Sequence, residues 1–381
     1  MKSDFSTQEL LSELIRIPSV NPDGDPGTDQ IGEERIAQYL GELLEPLGGE
    51  IRFQEVLPQR PNVFARFPIE NNPKYRILLA PHSDTVSVAG MTIPPFSPEI
   101  QKGKIYGRGA CDTKGPMAAM IRALLNVVDS EDYQSGNVEF TFVAFMGEET
   151  GCVGSNAFAE TEAAKNYDFA IVAEPTESYI VHAHKGCAWV KIETRGKAAH
   201  ASVAQNNDNS NLKMAHVLVA LENNFLPWLE ETSNATLGVT SAVPSLLNGG
   251  SKANIAPAEC SLTLDIRTIP NLSLDQIESK LNEVTKSTGI NASVHMPKGS
   301  ASLDTDAEHP LVKAIEPATR GLTTAPWFCD AAALASVGVP SVAMGPGSIA
   351  QAHTKDEWIT LEELDHGTKC YERSFQNLVR A

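Results

Sequence analysis

Five side chains of this 381-residue chain have the chemistry of a metal site: His82, Asp112, Glu149, Glu174 and His353. Imidazole and carboxylate without thiolate suit Zn²⁺, Co²⁺ or Mn²⁺ better than Ca²⁺. Five such ligands are too many for one tetrahedral ion, but they suffice for two if one carboxylate bridges. Three carboxylates and a bridging hydroxide would balance two divalent ions, which matters where water is partly excluded. Metal pairs about 3.5–4 Å apart lower the pKa of a water and polarise a carbonyl. Glu148 adjoins Glu149, and neighbours in an extended segment point apart. One of the two can therefore bind metal while the other stays free as general base. Asp84 follows His82 by two residues, on the same side of an extended segment, where a carboxylate takes the imidazole's other N–H and fixes its tautomer. Each piece alone is a weak signal: adjacent glutamates usually face solvent, and Glu-Pro-Thr is usually a turn.

What strengthens them is where the elements place them. RILLA, residues 76–80, runs into Pro81-His82-Ser83-Asp84-Thr85. NVEFTFVAFM runs into Gly147-Glu148-Glu149, and DFAIVA into Glu174-Pro175-Thr176. PSVAM leads into GPGSIAQAHTKDEW and reaches His353 nine residues beyond Met344. Short continuous apolar runs read as buried parallel strands. Alternating with helices, they imply an α/β sheet, whose ligands bind at the carboxyl ends of its strands. The spacing therefore predicts one crevice. Asp112 lies in KIYGRGACDTKGP, a glycine-shaped turn ahead of a helix whose first turn holds Pro116. Ser6 and Glu9 form a capping-box pattern for an N-terminal helix, and further helices are expected from about Gly32 to Leu47 and around SNAFAETEAAK.

From Lys185 to Pro297 the pattern changes. The strands CAWVKIETRG, TLGVTSAV, ECSLTLDIRT and ASVHMP and the helices NLKMAHVLVALENNF and LDQIESKLNEVTKSTG run in β-α-β-β-α-β order, a ferredoxin-like α+β insert. The expected fold is an α/β domain of residues 1–184 and 298–381, its sheet mostly parallel and flanked by helices, with residues 185–297 inserted.

The formal charge of −18 argues against nucleic acid or anionic membrane as a partner. The six cysteines, 111, 152, 187, 260, 329 and 370, are scattered with no C-x-x-C pair, as for reduced thiols in the cytoplasm. The N-terminus lacks a signal-peptide core, and no apolar run approaches a membrane span. A nucleotide-binding α/β protein is disfavoured, because GRGACDTKG matches neither dinucleotide nor P-loop fingerprints.

PHSDTV, YGRGACDTKG, MGEETG, AEPT, RGKAAHAS, DIRT and GPGSIAQAHTKDEW occur in one order across nearly the whole chain. Together they resemble the metallohydrolase superfamily of aminoacylase, acetylornithine deacetylase, succinyl-diaminopimelate desuccinylase and glutamate carboxypeptidase. The resemblance implies a zinc exopeptidase-like catalytic domain, an inserted lid and dimerisation domain, and two Zn²⁺ per subunit, with Co²⁺ or Mn²⁺ as substitutes. By that resemblance Asp112 bridges, His82 and Glu174 complete one site, and Glu149 and His353 the other. Glu148 is the general base and acid, Asp84 orients His82, and the Asp112–Thr113 peptide is cis. His200 would stabilise the oxyanion in the other subunit of a homodimer. Arg267 and Asn254 would hold the substrate carboxylate, and Gly345 and Ser348 would line its pocket. The remaining histidines, among them His182 and His184, are expected to be structural.

The implied activity is a zinc-dependent hydrolase of a linear amide in a small N-acyl amino acid or dipeptide. N-acetylornithine comes first, because GPGSIAQAHTKDEW is closest to the deacetylases of that substrate. Succinyl-diaminopimelate desuccinylase and a dipeptidase or carboxypeptidase are the alternatives, and a non-enzymatic binding protein of the same fold is disfavoured by the complete ligand set. Two departures stand out. The segment after His200 lacks the Pro and Gly common in the family, and Phe328-Cys329-Asp330-Ala331 replaces the Gly-Thr-Asp-Ala often seen in acetylornithine deacetylases.

Overall fold

The computed structural model describes residues 5–205, 208–296 and 299–381. It divides into two compact units. The first holds the chain up to His182 together with Thr305–Thr324 and Cys329–Ala381, and the second holds Ala183–Asp304 and Ala325–Phe328. The Pro297/Lys298 boundary expected from sequence lies outside the described residues.

The first unit is built on a sheet in which Val138–Ala144, Tyr75–Ala80, Phe169–Ala173 and Ser341–Met344 lie side by side. These four pair in parallel. They are the four apolar runs, and each is buried nearly throughout, as parallel strands covered on both faces must be. Antiparallel strands Arg60–Phe67 and Glu50–Leu57 extend the sheet beyond Val138–Ala144. Because the four parallel strands run the same way, their carboxyl ends share one edge.

Helix Lys114–Val128 packs against Thr7–Arg16 and Leu361–Val379 and is buried along most of its length. It starts two residues before Pro116, leaving that proline in its first turn, where the lost N–H costs nothing. The Ser6–Glu9 capping box is present. The second helix is shorter than expected, Glu34–Leu44, with a 3₁₀ turn to Leu47 and Gly48 in the left-handed conformation. Val153–Ala159 is helical, but the chain beyond it makes only a 3₁₀ turn at Ala164–Asn166.

The second unit carries a four-stranded antiparallel sheet in the order Ser241–Gly249, Glu259–Thr268, Gly186–Arg195, Ala292–His295. Helices Ser210–Ala220 and Leu274–Ser287 cover one face through Met214, Val217, Ile277, Leu281 and Val284. This is the ferredoxin-like arrangement. One strand was misplaced by sequence. TLGVTSAV is broken at Gly238, whose φ of 71° turns the chain, and Gly238–Val239 pairs with Ser233–Asn234 instead. The sheet strand begins at Ser241 and carries Pro244, which an edge strand tolerates. Among the described residues, no helix is long and apolar enough to cross a membrane.

Candidate metal centre

The shared strand edge gathers the side chains. His82 lies two residues past Ala80, Glu148 and Glu149 on a 3₁₀ turn just past Ala144, and Glu174 directly after Ala173. Asp112 comes from outside the sheet, on the turn before helix Lys114–Val128, and its peptide bond to Thr113 is cis. Gly109 in that turn has φ of 82°, and a Cβ there would meet the Lys114 side chain at 2.9 Å. A side-chain-free residue is therefore required.

Asp112 stands in the middle. Its Oδ1 is 3.0 Å from His82 Nε2, and its Oδ2 is 3.3 Å from His353 Nε2. His353 Nε2 is also 2.9 Å from Glu149 Oε2. Three groups place one potential ligand atom from each member within 4.8 Å of the others: His82–Asp112–Glu174, Asp112–Glu149–His353 and His82–Glu148–Glu149. The third group differs from the expectation that the two glutamates diverge. They sit on a 3₁₀ turn rather than a strand, so both carboxylates reach toward His82.

These residues fit divalent cations on three observations. Glu149 Oε1 and Glu174 Oε1 are buried with no hydrogen-bond partner, a costly arrangement unless a cation answers them. His82 Nδ1 donates to the Asp84 carbonyl at 3.0 Å. A neutral ring then turns its Nε2 lone pair toward Asp112, as metal ligation requires. Third, negative charge is in excess. Burial and the neighbouring Asp112 push Glu149 up to about 7. Burial and Asp112 also raise Glu174, while burial and the charges of Glu174 and Glu149 raise Glu148. Hydrogen bonds to Asp112 and Glu149 lift His353 to about 10. Burial would raise Asp112, but His353 and His82 outweigh it and hold it low. Without a cation, protons must neutralise the cluster.

Asp84 has a wider role than orienting an imidazole. Its Oδ1 lies 3.4 Å from His82 Nδ1, farther than its own carbonyl. The carboxylate accepts the Glu148 N–H at 3.0 Å, the Glu149 N–H at 3.2 Å and Asn21 Nδ2 at 2.8 Å. It thus holds the turn bearing both glutamates. Glu148 keeps its carboxylate free apart from a 3.8 Å contact with the Cys152 thiol. Asn21 and Glu357, both buried, were not singled out from sequence. Asn21 lies in a Pro- and Gly-rich loop that looks like a connection, and Glu357 is one acid within a charged tail.

Gly345 abuts the Glu174 carbonyl, which a Cβ would approach to 2.6 Å, so it secures close packing beside the ligand. Ser348 Oγ donates to Glu177 at 2.9 Å. His200, Asn254 and Arg267 belong to the second unit. His200 is exposed with Nδ1 2.8 Å from Ser202 Oγ, and the Asn254 carbonyl accepts from Ala201 N. Arg267 grips both oxygens of Asp265 at 2.7 and 3.0 Å. His182 and His184 bond main-chain carbonyls.

Residues 78–377 match the model of peptidase family M20/M25/M40. The chain belongs to this family. An acetylornithine deacetylase of Proteus mirabilis is 30% identical over 370 residues, covering 94% of this chain and 92% of the relative. Among solved structures, an M20 family metallo-carboxypeptidase from Sulfolobus solfataricus superposes with a TM-score of 0.82 at 19% identity, over 99% of this chain and 100% of that one. A dinuclear metal binding peptidase of Bacillus subtilis gives 0.70 at 13% identity over 98% of each. As an M20 peptidase-family member, the chain is a metal-dependent hydrolase of amide bonds.

Proposed function

We propose that this family member removes the acyl group from an N-acyl amino acid, with N-acetylornithine as first candidate, using two divalent ions, Zn²⁺ before Co²⁺ or Mn²⁺. The observation that carries the two-ion reading is the Asp112 carboxylate, which presents one oxygen to each of two donor groups. His82, Glu174 and Asp112 would hold one ion, and Glu149, His353 and Asp112 the other. When bound, the ions would lower the pKa of a water and polarise the scissile carbonyl. Glu148 takes the proton of the attacking water and returns it to the departing amine. Burial, with the charges of Glu174 and Glu149, raises its carboxylate, the direction a proton acceptor needs. Asp84 holds Glu148 at its backbone and sets the His82 ring.

For the substrate, the supporting observation is the 30% identity to a relative named acetylornithine deacetylase. Arg267 and Asn254 are the proposed carboxylate partners. Arg267 pairs with Asp265, so a substrate carboxylate would compete with Asp265 for the guanidinium. Gly345 and Ser348 are the proposed pocket residues. His200 is the proposed oxyanion donor, acting in the site of a second copy of the chain. A homodimer through the insert is supported by its exposed edge strand, where Val243, Leu246 and Leu247 are each 58% exposed. Residues 185–297 are the proposed lid.

A panel of N-acetylornithine, N-succinyl-diaminopimelate, other N-acyl amino acids and dipeptides, assayed with added Zn²⁺ or Co²⁺, tests the substrate. N-acetylornithine should give the highest kcat/KM. A higher value for a succinylated or dipeptide substrate would move the assignment to desuccinylase or dipeptidase.

A further inference from the structure

Glu357 is fully buried, and among the described residues its carboxylate bonds to the segment around Asp112. Its Oε1 accepts the N–H groups of Cys111 at 2.7 Å and Asp112 at 2.8 Å. Its Oε2 accepts the Gly109 N–H at 3.0 Å and Arg108 Nη1 at 2.9 Å. The same Nη1 reaches back to the Thr354 carbonyl at 3.2 Å. Thr354 follows His353 directly, so Arg108 and Glu357 close a loop between two segments some 245 residues apart. Main-chain contacts run alongside. Gly107 N donates to the Glu357 carbonyl, and Trp358–Thr360 pairs with Lys104–Tyr106.

We propose that Glu357 is a positioning residue of the metal centre, fixing the turn that carries Asp112 to the loop that carries His353. This rests on the two-ion reading above. Four donors occupy the carboxylate, and the Arg108 charge balances it, so it is not itself a ligand. The amides it holds lead up to and include that of Asp112, so they set where that side chain points. His353 depends on the same anchor. Its side chain is 55% exposed and its φ is 59°, a left-handed backbone seldom adopted without support. Asp356 next door does a different job, accepting from the Thr92 and Ile93 amides and pinning an exposed loop.

The test uses the full chain stripped of metal and titrated with Co²⁺ alone, read by calorimetry and by visible absorption, which reports coordination geometry. Wild type should bind two equivalents. A wild-type chain that binds none sinks the metal-centre reading itself. Given two, Glu357→Gln should weaken at least one equivalent by roughly ten- to a hundredfold and alter the visible spectrum per folded chain. Asp356→Asn should leave affinity and spectrum as in wild type, whatever its melting temperature. A folded Glu357→Gln protein with wild-type affinity and spectrum overturns the proposal, even if it melts lower. Should Glu357→Gln not fold, Arg108→Lys decides. It leaves the three amides bonded to Glu357 but removes the rigid guanidinium whose Nη1 bonds both Glu357 and Thr354. Binding should weaken roughly three- to tenfold, and unchanged Co²⁺ affinity and spectrum would overturn the proposal.

Discussion

Two neighbouring glutamates illustrate how environment divides labour between identical side chains. Glu149 shares His353 with Asp112, whereas Glu148 is held at its backbone and, among the described residues, its carboxylate meets just the weak Cys152 thiol donor. Glu148→Gln should therefore retain wild-type metal content by elemental analysis while kcat falls by roughly 10²–10⁴. An active variant would remove Glu148 from the mechanism. His184 offers a separate test on stability. Burial holds its imidazole down to about 4, whereas an exposed imidazole titrates near 6.5. Below that pH the unfolded chain binds a proton that the folded chain refuses. The stability due to neutral His184 is then lost progressively and levels off near pH 4, at about 3 kcal/mol. Denaturant melts of wild type and His184→Gln between pH 7 and 4.5 measure this, and the difference between them should shrink as pH falls. A difference independent of pH would mean His184 is not buried neutral.

At the scale of elements, the four parallel strands were legible because their burial on both faces forces continuous apolar runs, and His82, Glu149 and Glu174 were legible because they follow those runs closely. Asp112 needed its glycine turn to be noticed. Asn21 and Glu357 are hidden in the sequence for one physical cause. Asn21 and Glu357 act on backbone amides and side chains distant in sequence, and a buried acid holding amides looks in sequence like any surface acid. The Ser241–Gly249 strand was placed too early, at TLGVTSAV, for another reason: beyond Val243 an exposed edge strand with Pro244 carries no alternating pattern. Gly345 tests how tightly an element holds its neighbour. A Cβ there would lie 2.6 Å from the Glu174 carbonyl and 2.8 Å from the Tyr371 hydroxyl. Gly345→Ala should cost about 1–3 kcal/mol, seen as a lower melting temperature, with a wild-type melt contradicting the close packing.

For the whole molecule, the proposed homodimer would form on the exposed apolar edge strand of the insert. Charges placed there, as in Leu246→Glu with Leu247→Glu, should convert the proposed dimer to monomer in light scattering. If His200 serves the partner's site, mixing inactive His200→Ala and Glu148→Gln chains should restore part of the activity as hybrid dimers form. A wild-type chain that is monomeric at all concentrations would contradict the shared-site arrangement and leave the metal centre untouched.

In the proposed centre one carboxylate, Asp112, would serve two cations. Crystals grown with Zn²⁺ and measured at the zinc absorption edge test it directly. Two anomalous peaks are expected, one beside each Asp112 oxygen, with His82 and Glu174 around the first and Glu149 and His353 around the second. A single peak, or peaks away from Asp112, would contradict it.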